Sequence, residues 1–110
     1  MHTQEIHELL LKPGIGRQYR GYSIITQAIL LILEDEKRLL SLKQEIYQPV
    51  AEQQHCDWRA VERNIRTAIR RAWELNPELL QELSPYPMKY EPCAAEFLDI
   101  LSAHIEQKLP

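Results

Sequence analysis

Residues 46–75 read IYQPVAEQQHCDWRAVERNIRTAIRRAWEL, and two interruptions inside this stretch decide its architecture. Pro49 has no backbone N–H and a φ held at about −65°, which suits the first position of a helix, so a short helix is expected from Pro49 to Gln54. His55-Cys56 then breaks the chain. Asp57 is a good N-cap whose carboxylate also suits the positive end of a helix dipole, so a second helix is expected to start there and run to about Glu74. Asn76-Pro77 ends it. A short helix, a tight break and a longer helix form the arrangement of a helix-turn-helix, here spanning about residues 48–75. Ala51 is small where the two helices would cross, and Val61 is apolar where the second packs back. His55 stands at the break, where Gly is commonest; such a turn accepts His at some conformational cost.

At about 100° per residue the second helix sorts into two faces. Trp58, Val61, Ile65, Ala68, Ile69 and Ala72 gather on one side and are expected to dock on a core. Arg59, Glu62, Arg63, Arg66 and Arg70 fall within an arc of roughly 100° on the other, and Trp73 lies near the polar edge. Between Arg59 and Arg71 there are five arginines and one acid, Glu62, whereas residues 74–110 carry seven acids and two lysines. The formal net charge of −3 therefore hides a segregation of charge. An arginine fork donates two hydrogen bonds to a guanine edge or a phosphate, and a glutamate accepts from cytosine, so this stripe is suited to a DNA major groove. The same stripe also reads as a solvated helix face, with Glu62 and Arg66 as an i, i+4 pair.

The rest of the chain is helical in pattern. Few glycines, a single Phe and many Leu, Ile, Glu, Gln and Arg in a chain of 110 residues favour helix, because straight side chains lose little rotamer freedom there. The expected fold class is all-α: a compact bundle of about six helices in one domain covering residues 1–110. A first amphipathic helix runs from Thr3 to Lys12 and stops at Pro13-Gly14. The segment PGIGRQYRG, residues 13–21, is expected to be a loop carrying Arg17 and Arg20, suited to DNA backbone contact or simply to solubility. From Tyr22 to Leu33 the chain is apolar on nearly every side, the pattern of a helix surrounded by others. Glu34-Asp35-Glu36 interrupts it, and Lys37 to Leu42 is expected to add a helical turn or two. A short helix from Glu78 to Leu83, a loop SPYPMKYEP and a last helix from about Ala94 to Lys108, burying Phe97, Leu98, Leu101 and Ile105, complete the set.

Several other readings are set aside on residue chemistry. Gly16 and Gly21 are spaced as in a phosphate loop, but Tyr22-Ser23 replaces the Lys-Ser/Thr pair and no strand precedes. His2, His7, His55-Cys56, Cys93 and His104 lack metal-site spacing, so no metal and no cofactor are expected. Cys56 and Cys93 are too few for a disulfide framework. No local motif nominates a nucleophile or general base, so the chain is not expected to be an enzyme. The longest apolar run, Ala28 to Leu33, is far short of the roughly 20 residues a membrane span needs, and no basic-then-apolar leader opens the sequence. The expectation is a cytoplasmic protein.

VERNIRTAIRRAW (residues 61–73), preceded by IYQPVAEQQH and, upstream, by the loop ending RGY and the helix ITQAILLILED, resembles the DNA-binding effector domains of the stage 0 sporulation protein A family, response regulators of endospore-forming bacteria. The likeness extends from the first helix to the last. It implies an all-helical transcriptional regulator module, associated with the bacterial nucleoid, that binds double-stranded DNA at short, often tandem boxes. It also implies an RNA polymerase sigma factor and a second copy of the chain as partners. On this resemblance Glu62, Arg63 and Arg66 fall on positions of base and phosphate contact and are the expected base-reading residues; Arg59, Thr67, Arg70, Arg17 and Arg20 are, from the residues themselves, the expected phosphate contacts. Ala60 departs from the pattern, since the family usually places arginine there; Arg59, one position earlier, points about 100° away. The family joins such a domain to a phosphoryl-accepting receiver, none of which falls within these residues. Ala60 and the acidic C-terminal third leave a second expectation: a protein-interaction module that pairs with a full-length regulator or with polymerase without reading a DNA sequence.

Overall fold

The apolar periodicities are realised as six α-helices in a computed structural model that describes residues 3–107. The expected end of the last helix at Lys108, and His2, lie outside the described residues. The helices are α1 (Thr3–Leu11), α2 (Arg20–Glu34), α3 (Gln48–Gln54), α4 (Trp58–Leu75), α5 (Pro77–Leu83) and α6 (Ala94–Gln107). No strand is present among the described residues. The fold class is all-α, as the composition indicates.

The near-continuous apolar character of α2 has a direct cause in its position. It packs against α1, α3, α4 and α6 at once, burying Ile24, Ile25, Ala28, Ile29 and Ile32. The same core holds Ile6 and Leu10 of α1, Ile65 and Ile69 of α4, Phe97 of α6 and, packed on α4 and α6, Leu80 of α5, all essentially inaccessible to solvent. Each such side chain contributes on the order of 1.5–3 kcal/mol of transfer free energy. Helix α2 also begins earlier than its pattern suggests: Arg20 and Gly21, expected in the loop, form its first turn. Gly21 is buried there, and a Cβ at this position would lie 3.4 Å from the Asn64 carbonyl oxygen of α4. The tighter approach is to the Tyr19 ring, at 3.2 Å.

The segment after α2 is helical as expected but irregular in two places. The helical turn expected within Lys37–Leu42 is a 3₁₀ helix at Glu36–Leu40, capped by the Asp35 carboxylate, which accepts from the Lys37 N–H at 3.0 Å. Pro49 lies in the first turn of α3, as expected, but the helical path does not begin there. The helical path is already established through a π-helical turn at Lys43–Tyr47, closed by a bond from the Gln48 N–H to the Lys43 carbonyl, and it runs on into α3. A proline inside a regular α-helix would press its ring on the carbonyl four residues back; a turn widened by one residue at that point relieves the crowding. Arg38 fastens this irregular segment, lying 3.4 Å from Glu34 and 3.8 Å from Glu45.

Candidate nucleic-acid interface

The break between α3 and α4 is built by His55, the only described non-glycine residue with positive φ, at φ 56° and ψ 47°. Its N–H donates to the Glu52 carbonyl at 3.3 Å and the Cys56 N–H to the Ala51 carbonyl at 2.9 Å. These are the two bonds of a Schellman motif, which normally recruits glycine. The expected departure from glycine is therefore real and is tolerated in the left-handed region. Asp57 then starts α4, its carboxylate accepting from the Arg59 N–H at 2.7 Å. The pair α3–α4 is a helix-turn-helix, with Val50 and Ala51 buried on the first helix and Val61, Ile65, Ala68, Ile69 and Ala72 on the second.

Opposite that buried face, Arg59, Arg63, Arg66, Thr67 and Arg70 are all exposed. By helical rotation Arg63 sits near the middle of the outward face, and it makes no ion pair among the described residues. The others are held only loosely. Arg59 lies 4.0 Å from Asp57, Arg66 3.7 Å from Glu62 and Arg70 3.8 Å from Glu91, with every guanidinium side chain about two-thirds or more exposed. Exposed pairs of this kind contribute roughly 0–1 kcal/mol and are readily exchanged. Glu62 is half-buried at the edge of the stripe. Thr67 already donates its hydroxyl hydrogen to the Arg63 carbonyl at 2.9 Å, so donation to another acceptor requires that bond to break. Ala60, half-buried, offers no polar group.

The connection between α1 and α2 borders one side of α4. Arg71 reaches back to it: its Nε donates to the Gly14 carbonyl at 3.0 Å, and its guanidinium lies 5.3 Å from the Tyr19 ring centre. Arg17 is exposed within this connection and Arg20 on the first turn of α2, between the contacts at Gly14 and Gly21. Ser23 of α2 meets Gln54 at the end of α3, at 3.4 Å. The expected phosphate contacts thus come from two elements that pack beside one another. Arg71 itself carried no expected role, because its partners are distant in sequence.

On the other side, a groove of about 720 Å³ separates α4 from the connection between α5 and α6. Glu62, Arg66 and Ile69 form one wall, Met88 to Pro92 the other, and Tyr47 contributes to the floor. Burial holds the Tyr47 phenol above its usual pKa, reinforced by the nearby Glu62 carboxylate and the Cys93 thiol and opposed by Arg66. Its hydroxyl stays protonated at neutral pH. Among the described residues no group of three or more His, Cys, Asp or Glu side chains comes together, and no helix is long and apolar enough to cross a membrane.

A helical domain in which a capped, outward-facing arginine helix follows a tight Schellman turn has the helix-turn-helix architecture. The family model described as "Sporulation initiation factor Spo0A C terminal" matches residues 6–105. The chain belongs to that family, the DNA-binding effector domains of sporulation-type response regulators, which is a regulatory and not a catalytic family.

Proposed function

We propose that residues 1–110 act as one sequence-specific DNA-binding effector domain, with α4 seated in the major groove. Glu62, Arg63 and Arg66 read base edges, and Arg59, Thr67, Arg70, Arg17 and Arg20 hold the flanking phosphates. The observation that carries this reading is the exposed row Arg59, Arg63, Arg66 and Arg70 on the face of α4 opposite the core. Phosphate contacts fix register and supply salt-dependent affinity, while bidentate arginine contacts to guanine supply discrimination. The domain works in the cytoplasm at the nucleoid, and its protein partners on this reading are an RNA polymerase sigma factor and a second copy bound at a tandem site.

A titration of a duplex carrying the family's box against a scrambled duplex, at two salt concentrations, tests the reading. Arg63→Ala is expected to remove about 1–3 kcal/mol of discrimination at one base pair while leaving scrambled-duplex binding nearly unchanged. Equal losses on both duplexes would show that Arg63 touches only phosphate. The second reading, a protein-interaction module, is favoured by one observation: Tyr86 and Tyr90 are 74% and 80% exposed on the acidic side of α4. Indifference of the wild-type chain to duplex sequence, with retained binding to a full-length regulator, would select it.

A further inference from the structure

Lys43 is remote from α4 in sequence, yet its ammonium lies 4.6 Å from the centre of the Trp58 ring, on the first turn of that helix. The Arg59 guanidinium lies 5.5 Å from the same ring. Trp58 is in turn stacked on the buried Tyr47, with centroids 6.4 Å apart and planes within 3° of parallel. The ring is therefore a platform fixed from beneath by a core residue, with two cations drawn to it by its quadrupole.

We infer that Lys43, ordered on Trp58 beside Arg59, forms a further phosphate-binding site at the N-terminal end of α4; this rests on the DNA-binding reading above. Three features support it. Lys43 lies on the π-helical turn that leads directly into α3, and the first helix of a helix-turn-helix is the one that crosses the DNA backbone. Both cations are exposed. Glu45, the acid nearest Lys43 in the chain, pairs with Arg38, and Asp57 caps α4 through the Arg59 N–H, leaving only a loose, exposed 4.0 Å pair with the Arg59 guanidinium. A lysine whose ammonium is held over an aromatic face has also lost part of its rotamer freedom before any ligand arrives, which lowers the entropic cost of holding a phosphate. Trp58 is a positioning residue in this arrangement, and Lys43 the residue that touches the ligand.

The test is a fluorescence-anisotropy titration of box and scrambled duplexes with the wild-type chain, Lys43→Ala, Lys43→Arg, Trp58→Leu and the double variant, each checked for helical content by circular dichroism. Lys43→Ala is expected to weaken both duplexes by the same factor and to lower the slope of log affinity against log salt by about 0.9, the signature of one lost phosphate contact. The advantage of wild type over Lys43→Ala should then shrink by about 3.5-fold between about 50 and 200 mM salt. Lys43→Arg should restore the slope. Lys43→Ala should matter less in the Trp58→Leu background than in wild type, because the platform is already gone. A wild-type chain that binds DNA while Lys43→Ala leaves its affinity and slope unchanged overturns this site and leaves the DNA-binding reading intact. A wild-type chain that binds neither duplex overturns both.

Discussion

The two connections that border α4 differ in how they are attached and in the charge they bring. The α1–α2 connection is fastened to α4 itself: Arg71 holds the Gly14 carbonyl, and Gly14 adopts φ +90° so close to Leu75 that an added Cβ would lie 2.8 Å from its Cδ1. It presents Arg17 and Arg20. The α5–α6 connection is fastened to its own neighbour. Gln81 of α5 donates to the Tyr86 carbonyl at 2.9 Å and accepts from the Met88 N–H at 2.7 Å, and this connection meets α4 across an open groove with Glu91 facing Arg70. One side therefore sets where α4 sits and extends its positive surface, while the other tempers that surface with a carboxylate.

Gly14→Ala should produce the largest effect on this contrast. A side chain at this positive φ is expected to destabilise the fold by about 1–3 kcal/mol, measured as a shift in urea midpoint, since the exposed Leu75 tip can move aside but the backbone strain cannot. No shift would mean that the connection does not hold Gly14 at its positive φ. Arg71→Ala comes next, at about 1 kcal/mol for an exposed charge-assisted hydrogen bond and its aromatic contact. Amide hydrogen exchange should accelerate in the 13–19 segment and not in the 84–93 segment. Exchange that rises equally in both would erase the distinction.

Smaller effects sharpen the acidic side. Glu91→Gln releases Arg70 from a partly exposed pair of roughly 0.2–1 kcal/mol. It is expected to raise duplex affinity by up to about fivefold at low salt, with a gain that fades as salt screens the pair; unchanged affinity would show that Glu91 does not compete with phosphate. The smallest effect belongs to Glu96, whose carboxylate accepts from the Cys93 N–H at 3.1 Å and caps α6. That bond holds its carboxyl below the usual carboxylate range. Because the folded pKa lies below the unfolded one, the contribution is present at neutral pH and disappears as pH falls through the folded value. Glu96→Ala should cost about 0.5 kcal/mol at neutral pH and nothing in acid, read from melting temperatures along a pH series. A pH-independent difference would refute the cap.

Much of the fold is legible along the chain because its signals are local. Asp57 as a cap, Asn76 as a terminator and the apolar faces of α4 and α6 depend on spacings of one to four residues. The π-helical turn before Pro49 was not legible, since the expectation for an isolated proline is a helix start and the preceding turn is set by how Ile46 and Tyr47 reach the core. Of the candidate interface, the arginine face could be read by rotation alone. Neither the seat of Lys43 on Trp58 nor the pairing of Arg70 with Glu91 could, because each joins residues from separate elements.

The sequence by itself determined that this chain is helical and that α4 has a core face and a cationic face, since both follow from backbone propensity and a fixed turn angle. Only the tertiary structure decided what stands on either side of that cationic face, which arginine is tied inward and which acid lies across the groove. Those outcomes depend on the packing of α2 against four other helices, and no local periodicity encodes the distances that such packing creates.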